Sequence, residues 1–524
     1  MCGFMFSSVK QLTAELQQGF DSLIHRGPDH QSLTVEPNGI WGFHRLSIMD
    51  LSSNGNQPFQ HDGIQLICNG EVYNYEQLKA MLQSSYAFHS GSDCEVLIPL
   101  YQRVGFEIMM KMLDAEFAVV LVDGGEIWAG RDPIGIRPMF YGYDQQGCIA
   151  FASEAKALVP FCREVAPFPP GHYYHDGKFV CYNDIADPKT VSEQDVETIA
   201  QNLRAKLEAG VIKRLTADAP LGFLLSGGLD SSLVCAIAQK HSDKPIKTFA
   251  VGMDTDPIDL KYAKEVADFL GAEHTEVIMT KDDVLAALEK VIWHLETWDI
   301  TTVRASIGMY LVCQYIRENT DLKVLLTGEV SDEIFGYKYT DFAPNAAAFQ
   351  QEAQKRIREL YMYDVLRADR CLAANSLEAR VPFGDIDFVD YAMRINPERK
   401  MNVYNKGKFL LRKAFEGLDY LPDSILYREK AAFSDAVGHS MVDHLKAYAQ
   451  TQYSDEELAQ AKDKYPYATP FTKESLLYRD IFEKFYPGRA NWIKDFWMPN
   501  KAWEGCNVND PSARVLVNYG DSGK

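Results

Sequence analysis

The hydrophobic pattern of this 524-residue chain changes near residue 185, and that change constrains the fold more than any other feature. Before it, short β-type runs are broken by Gly, Asn, Asp and Pro, and one clear helix is predicted at about 94–104. After it, long helical segments alternate with compact apolar runs. The first pattern predicts an α+β domain with antiparallel sheets. The second predicts an α/β domain with a parallel sheet and a helical C-terminal part.

The domain boundaries follow from the same pattern. Residues 186–196 are polar, contain Pro188 and lack apolar periodicity, so we place a linker there between domains at 1–185 and 197–524. The predicted strands of the first domain are 39–48, 64–68, 117–122, 127–129, 139–143 and 148–152, and those of the second are 221–225, 247–251 and 323–327.

Charge and cysteine usage exclude several classes of protein. The chain has 53 Lys plus Arg against 73 Asp plus Glu, a net charge of −20. Such an acidic chain repels phosphate backbones and anionic lipid, so neither nucleic acid nor a membrane is expected as a partner. The ten cysteines are scattered without CxxC spacing, and no signal peptide or membrane span is apparent. These features predict a cytoplasmic protein with reduced thiols.

Cys2 follows the initiator methionine, and a residue that small normally allows the methionine to be removed. The mature chain would then carry a thiol and a free α-amine on one residue. An α-amine has a pKa of about 7.7–8.0, so it can take the thiol proton and later protonate a leaving amine. Alone, this start is weak evidence, because most Met-Cys starts are accidental.

Groups further along the chain supply what such a thiol needs. Arg45 can hold a carboxylate bidentately. Asn69 and Gly70, placed directly after a predicted strand, form a compact donor pair for an oxyanion. Asp93 stands where a helix opens and can bind an ammonium group. Together these groups would bind both ends of an α-amino acid and present its side-chain carbonyl to a thiolate.

This set, with the loop at 25–29, resembles the class II glutamine amidotransferase domain, an N-terminal-nucleophile hydrolase fold of stacked antiparallel sheets. The resemblance implies that Cys2 is nucleophile and base, that Asn69 and Gly70 form the oxyanion hole, and that glutamine is the substrate. It implies that Arg45 binds the glutamine carboxylate and Asp93 its ammonium. Asn69 and Glu71 are also expected to contact glutamine.

A second motif, Ser226-Gly-Gly-Leu-Asp-Ser-Ser232, lies between a predicted strand and an apolar helix. Small residues at such a turn let backbone N–H groups approach an anion, and the helix N-terminus favours negative charge. Asp230 supplies a carboxylate for Mg²⁺. The absence of Gly-Lys-Ser/Thr excludes a Walker A loop.

The motif resembles the pyrophosphate loop of enzymes that cleave ATP between its α and β phosphates. Joined to an amidotransferase domain, it resembles the asparagine synthetase family over essentially the whole chain. That resemblance implies ATP-dependent conversion of aspartate to asparagine through β-aspartyl-AMP, with ammonia from glutamine and with AMP and pyrophosphate as products. The implied ATP-binding residues are Leu225, Ser226, Gly227, Gly228, Asp230, Ser231, Val251, Gly252, Gly328 and Lys430.

Three further roles are implied in the synthetase half. Asp230 and Asp332 would bind Mg²⁺, and Glu329 would deprotonate ammonia or orient the intermediate. Arg304 is a candidate for contact with substrate or phosphate. The expected cofactors are ATP and Mg²⁺, and the expected partners are glutamine, aspartate and ATP. The sequence leaves a homodimer open.

The synthetase half departs from the family pattern at several positions. If position 330 requires φ > 0, a β-branched Val there is strained. We therefore expect synthesis to persist with altered positioning of aspartate. The departures are Val330 for Gly, Tyr337 for Gly, Gly384 for Leu, and Ala431-Ala432 for polar residues.

Two alternatives remain beside this interpretation. One is a relative that adenylates another carboxylate, as a β-lactam synthetase does, although Cys2 argues against it. The other is a binding or regulatory protein that retains only glutamine hydrolysis. A sugar-phosphate or purine-pathway amidotransferase is excluded by the loop at 226–232.

Overall fold

The computed structural model describes residues 1–255, 257–429 and 439–520. The strands are β1 (Gly3–Ser7), β2 (His30–Glu36), β3 (Gly39–Arg45), β4 (Phe59–His61), β5 (Ile64–Val72), β6 (Ala115–Asp123), β7 (Glu126–Arg131), β8 (Phe140–Tyr143), β9 (Ile149–Ala152), β10 (Glu164–Pro167), β11 (His172–His175), β12 (Lys178–Cys181), β13 (Leu221–Leu224), β14 (Lys247–Met253), β15 (Glu273–Met279), β16 (Val324–Leu326) and β17 (Glu378–Arg380).

The α-helices are numbered along the described residues. They are α1 (Ala14–Asp21), α2 (Tyr75–Leu82), α3 (Leu97–Val104), α4 (Phe106–Met112), α5 (Val196–Lys213), α6 (Leu229–Lys240), α7 (Ile258–Leu270), α8 (Lys281–Leu295), α9 (Ile300–Asn319), α10 (Ser331–Phe335), α11 (Ala346–Glu359), α12 (Asp364–Ala373), α13 (Ile386–Arg394), α14 (Pro397–Lys400), α15 (Phe409–Phe415), α16 (Asp423–Leu426), α17 (His439–Gln452), α18 (Asp455–Ala459), α19 (Ala461–Lys464) and α20 (Lys473–Phe485).

The N-terminal half is built from two stacked six-stranded sheets. Sheet A has the order β10-β8-β9-β1-β3-β2 and sheet B the order β12-β11-β7-β6-β5-β4. Neighbouring strands in both run antiparallel. Side chains alternate across each strand, so Phe4 and Phe6 of β1 enter the layer between the sheets, whereas Met5 packs with Phe20 of α1. In β6, Val120 faces that same central layer and Val119 packs beneath α2 and α3.

The second half contains sheet C, five parallel strands in the order β15-β14-β13-β16-β17. Helices cover both faces, as a parallel sheet requires. Phe249 and Val251 of β14 pack with helices α8 and α9, and Ala250 between them packs on the opposite face with α6. The carboxyl end of β13 leads directly into the loop at 225–228 and then into α6.

These sheets confirm the predicted fold class, and the differences from the predicted elements have local causes. The polar sequence Glu273-His-Thr-Glu276 concealed β15, which is an edge strand with one face toward solvent. Helices α1, α2 and α4 are only seven or eight residues long, so their apolar periodicity is brief. The strand predicted at 64–68 continues to Val72, so Asn69 and Gly70 lie inside β5 and not after it, because β6 extends the pairing to Ala115.

Buried ion pairs join the two halves. Arg26, which is fully buried, donates to Asp369 at 2.8 and 3.0 Å and to Glu154 at 2.6 Å. Arg380 on β17 lies 3.0 Å from Glu71 on β5. All ten cysteines are free thiols. Across the described residues, no helix is both long and apolar enough to cross a membrane.

Candidate active sites

Cys2 lies immediately before β1, a central strand of sheet A that packs against β5 of sheet B. Its thiol donates to the Leu46 carbonyl at 3.7 Å, and its own carbonyl accepts from Arg26 Nε at 2.9 Å. Burial raises the pKa of the Cys2 thiol, so the thiol stays protonated in this form. The local structure therefore fixes the position of Cys2 without activating it.

Met1 is fully buried. Its amine lies 3.4 Å from the Leu377 carbonyl, and burial lowers the pKa of that amine to about 5. With Met1 in place, the nitrogen of Cys2 belongs to a peptide bond and cannot act as a base. The predicted role of Cys2 as nucleophile and base therefore requires removal of Met1.

The side chain of Asn69 in β5 is buried, and one atom of its amide lacks a hydrogen-bond partner within the described chain. Asn69 is 1% exposed, and its Nδ2 has no hydrogen-bond partner among the described residues. A Cβ at Gly70 would lie 2.7 Å from the Glu116 carbonyl oxygen and 2.8 Å from Phe117 Cβ, so only glycine fits. A buried donor without a partner costs free energy unless a ligand uses it. This is the environment expected of an oxyanion hole, although the role of the pair stays a prediction.

Asp93 lies at the start of a 3₁₀ turn, Asp93–Val96, that leads into α3. Its carboxylate accepts from the Val72 N–H at 2.6 Å, which places it at the end of β5. Burial raises its pKa to about 6. A buried carboxylate of this kind gains from an ammonium partner, because pairing offsets its desolvation.

The other two residues expected to bind glutamine make different contacts. Arg45 donates to the carbonyls of Ser52, Met49 and Asp50 and to Asn56 Oδ1, so its guanidinium orders the loop at 49–56. To bind a carboxylate bidentately, Arg45 would have to break hydrogen bonds to this loop and so free two of its N–H donors. The Glu71 carboxylate pairs with Arg380 at 3.0 Å. Both roles stay predictions.

The loop after β13 has the geometry that a phosphate requires. Gly227 has φ 69°, and a Cβ there would lie 2.4 Å from the Ala263 nitrogen. Ser226 Oγ and Ser231 Oγ lie 3.0 Å apart across the loop. The N-terminus of α6 begins here, and its dipole favours an anion.

A cavity of about 210 Å³ opens at this loop. Of the residues predicted to bind ATP, those lining it are Leu225, Ser226, Gly228, Asp230, Ser231, Val251 and Gly328, and Glu329 and Asp332 line it as well. Gly227 and Gly252 instead pack against α7, where a Cβ at either would clash. Lys430 and Ala431-Ala432 lie outside the described residues.

Asp230 and Asp332 converge on one cation. Lys408 Nζ lies 2.8 Å from Asp230 Oδ2 and 2.6 Å from Asp332 Oδ1, and it donates to Ser331 Oγ at 2.9 Å. Two carboxylates that share one ammonium lie close enough to share a divalent ion. Mg²⁺ uses one or two carboxylates together with substrate phosphates. These residues therefore fit Mg²⁺.

The opposite wall carries charged groups that the sequence did not single out. Arg367 lies 3.0 Å from Asp364 and 3.5 Å from Glu329. Burial, with Asp364 and Asp332 nearby, raises the pKa of Glu333 well above its usual value. Asp364 and Arg367 stand three residues apart on α12, a spacing common on solvated helix faces, so no sequence signal marked them.

Four buried polar atoms on this lining have no hydrogen-bond partner in the part of the chain that the structure describes. They are Thr301 Oγ1, Thr327 Oγ1, Glu329 Oε2 and Arg367 Nε. Buried polar groups normally find partners, so these four indicate that a polar ligand completes the cavity.

Arg304, the candidate for contact with substrate or phosphate, has its guanidinium paired with two carboxylates. It lines the cavity, but Glu474 holds it at 2.5 and 2.7 Å and Asp510 at 3.0 and 3.3 Å. These two carboxylates neutralise its charge, and its contact with a ligand stays a prediction.

Val330 has φ 83° and ψ −24°, in the left-handed region, which verifies the condition for strain. A β-branched residue there costs about 1–3 kcal/mol. Val330 is 1% exposed and directly precedes α10. Tyr337, the second departure, lines the cavity beside Trp497.

The two sites define the class of protein: an N-terminal-nucleophile glutamine amidotransferase domain is joined to an α/β domain whose parallel sheet carries the phosphate loop. The family model for the glutamine amidotransferase domain matches residues 1–175. The model for asparagine synthase matches residues 202–347 and 340–507. The chain is 40% identical over 570 residues to the asparagine synthetase [glutamine-hydrolyzing] of Cricetulus griseus, covering 100% of both chains. It is 40% identical over 565 residues to that of Homo sapiens, covering 99% of both.

The chain belongs to the family of glutamine-hydrolysing asparagine synthetases. Among solved structures, a glutamine phosphoribosylpyrophosphate amidotransferase from B. subtilis aligns with a TM-score of 0.32 and 17% identity, covering 53% of this chain and 81% of that chain. That likeness is too low to carry an argument.

Proposed function

We propose that this chain makes asparagine from aspartate and ATP, using ammonia that it releases from glutamine, through a β-aspartyl-AMP intermediate and with AMP and pyrophosphate as products. The cavity at the phosphate loop carries the proposal. The loop forms one wall of that cavity, and buried polar atoms without protein partners, among the described residues, belong to its lining. A nucleotide bound at the loop, with a small polar substrate beside it, would provide partners for the loop and for these buried polar atoms.

In the glutaminase half, removal of Met1 frees the α-amine of Cys2, which accepts the thiol proton. The thiolate attacks the glutamine amide carbon, and Asn69 and Gly70 stabilise the oxyanion. The amine then protonates the leaving ammonia, and water hydrolyses the thioester to glutamate. Asp93 holds the substrate ammonium throughout.

In the synthetase half, an oxygen of the aspartate β-carboxylate attacks the α-phosphorus of ATP, and pyrophosphate leaves. Asp230 and Asp332 would hold Mg²⁺, which when bound neutralises phosphate charge. Ammonia then attacks the activated carbonyl carbon and AMP departs. Glu329, whose Oε2 has no partner in the described chain, accepts the proton released from the attacking nitrogen.

The amino acid end of aspartate fits the wall opposite the loop. Glu333 and Asp364 present carboxyl groups to its ammonium, and Arg367 presents a guanidinium to its α-carboxylate. Lys430 is proposed to contact phosphate, as the family resemblance implies. This arrangement would place the β-carboxylate toward Asp230 and the α-phosphorus.

The wider organisation follows the same proposal. The glutaminase domain spans 1–185, a linker spans 186–196 and the synthetase domain spans 197–524. A homodimer and a cytoplasmic location stay predictions, the first measured by light scattering of the purified protein.

The test measures asparagine, glutamate and pyrophosphate from aspartate, ATP and Mg²⁺, with glutamine or ammonia as nitrogen source. We expect equal amounts of asparagine and pyrophosphate with either source. Cys2→Ala should lose glutamine use and keep ammonia use, and Cys162→Ala, a buried thiol of the same half that packs against Gly142 of β8, is the matched control. No asparagine from either source refutes the proposal.

A further inference from the structure

Val330 has a strained backbone, and a neighbouring glycine leaves room for its side chain. Its backbone lies in the left-handed region at φ 83°, between Glu329 and the first turn of α10. The side chain is nonetheless buried to 1% exposure within a core shared by both halves of the chain. A position that only needed φ > 0 would be served better by glycine, so the isopropyl group has a packing role.

Gly384 provides the space for that side chain. It ends a 3₁₀ turn, Pro382–Gly384, that follows β17. A Cβ built on Gly384 would lie 3.6 Å from Val330 Cγ2, 3.0 Å from Ile136 Cδ1 and 3.7 Å from Ile134 Cδ1. The methyl groups of these three residues therefore converge over the bare Cα of Gly384. A branched side chain at 384 would compete with Val330 and Ile136 for the same volume.

Ile134 and Ile136 belong to a rigid loop of the amidotransferase half. The Asp132 carboxylate accepts from the N–H groups of residues 134, 135, 136 and 137, at 2.6 to 3.1 Å. With four backbone donors held by one carboxylate, this loop cannot yield to a neighbour without breaking hydrogen bonds. Val330 thus rests on a fixed surface that comes from the other half of the chain.

On its own side, Val330 stands between the groups that act in the synthetase site. Glu329 precedes it, and Asp332 and Glu333 follow within the first turn of α10. Moving the Val330 backbone moves these carboxylates relative to the phosphate loop, since a Cβ on Gly328 would already lie 2.7 Å from the Ser231 nitrogen. The turn at 328–333 is therefore packed between the phosphate loop and the amidotransferase loop.

We propose that Val330 is a positioning residue that couples the two halves. Seated over Gly384 against Ile136, it holds the turn at 328–333 in a fixed relation to the loop at 132–137, so that glutamine hydrolysis and asparagine formation stay matched. Val330 and Gly384 form one size-matched pair. The inference rests on the proposed function.

The test is a set of variants at the two positions. Val330→Gly should relieve backbone strain yet lower the asparagine formed per glutamate released by at least twofold. It should also raise KM for aspartate more than it lowers kcat with ammonia. Gly384→Leu should lower Tm, because the added side chain meets Ile136. The double variant V330G/G384L should regain most of that Tm and of the product ratio, since the leucine then fills the vacated space.

Val266→Ala is the matched control, because Val266 is a fully buried valine of α7 in the same core and does not line the cavity. It should lower Tm and leave the product ratio unchanged. If the wild type makes asparagine and Val330→Gly keeps the wild-type ratio of asparagine to glutamate, the coupling inference is overturned and the proposed function stands. A double variant no more stable than Gly384→Leu overturns the size-matched pair. A wild type that makes no asparagine from either nitrogen source refutes the proposed function itself, and the coupling with it.

Discussion

Replacing Asn69 by alanine should separate catalysis from stability in the glutaminase half. The Asn69 Nδ2 group has no partner within the described part of the chain, so the first group it would bind is the oxyanion of the substrate. Losing one oxyanion-hole donor costs about 2.7–4 kcal/mol of transition-state stabilisation, which lowers kcat by about 10²–10³-fold. We expect that loss for glutamate release by the protein without Met1.

The stability of the same variant should change little. A buried donor without a partner costs about 1–3 kcal/mol, and Asn69→Ala removes that penalty. The packing lost with the amide is of similar size. The free energy of unfolding should therefore change by less than about 1 kcal/mol, as measured by denaturant unfolding.

Gln57 is the matched control, because it is also a buried amide that lies against β5. Its Nε2 donates to the Cys68 carbonyl at 3.1 Å and its Oε1 accepts from the Cys68 N–H at 2.7 Å. Gln57→Ala leaves the Cys68 N–H and carbonyl groups without these partners, so we expect the free energy of unfolding to fall by about 2–4 kcal/mol. The reasoning is refuted if Asn69→Ala loses as much stability as Gln57→Ala, or if its kcat falls less than tenfold. Asparagine formation from ammonia should be unchanged in Asn69→Ala.

Three further predictions concern groups whose state the structure defines. Protein prepared with methionine aminopeptidase inhibited should keep Met1, use ammonia normally and fail to hydrolyse glutamine; equal glutamine use with and without Met1, verified by mass spectrometry, would contradict this. Since burial holds the pKa of Asp93 at about 6, its carboxylate is charged above that pH and neutral below it, so KM for glutamine should rise as the pH falls from 7 to 5. Asp93→Asn should show a high KM at every pH, and a flat wild-type profile would count against the ammonium contact. Lys408→Met removes the ammonium shared by Asp230 and Asp332, so stability should fall by about 3–5 kcal/mol without Mg²⁺ and recover in part when Mg²⁺ and pyrophosphate are added; calorimetry that shows no such dependence would exclude a metal there.

The sequence predicted the parts of the fold whose residues carry a local signal. The turn at 226–232 is marked by small residues between an apolar strand and an apolar helix, and the structure places it at the cavity. The short β-type run in β6, separated from its neighbours by turn residues, and the compact apolar run of β14, followed by helical sequence, predicted one sheet of each kind. Each of these signals lies within about ten residues, so local propensity and burial point the same way.

Features set by distant partners could not be predicted in this way. The partners of Arg304 are Glu474 and Asp510, which lie 170 and 206 residues further along the chain, so its ion pairs could not be predicted from the sequence. Position 330 could be identified as strained only if its φ were positive, and the space at Gly384 that admits its side chain depends on packing. Contacts of this kind appear only when the chain is folded.

The buried charges between the halves explain why the two sites keep a fixed relation. Successive ion pairs join Glu71 to Arg380, Arg380 to Glu378, Glu378 to Arg137, Arg137 to Glu116 and Glu116 to Arg214, at 2.8 to 3.6 Å. Three of these five pairs cross between the halves, so a shift of one half along the other would set like charges together. Desolvation offsets much of the energy of buried ion pairs, and their contribution here is to fix a single docked arrangement. Glu71 adjoins Gly70 in β5 and Arg380 ends β17, so that arrangement fixes the glutaminase strand against the sheet that carries the phosphate loop.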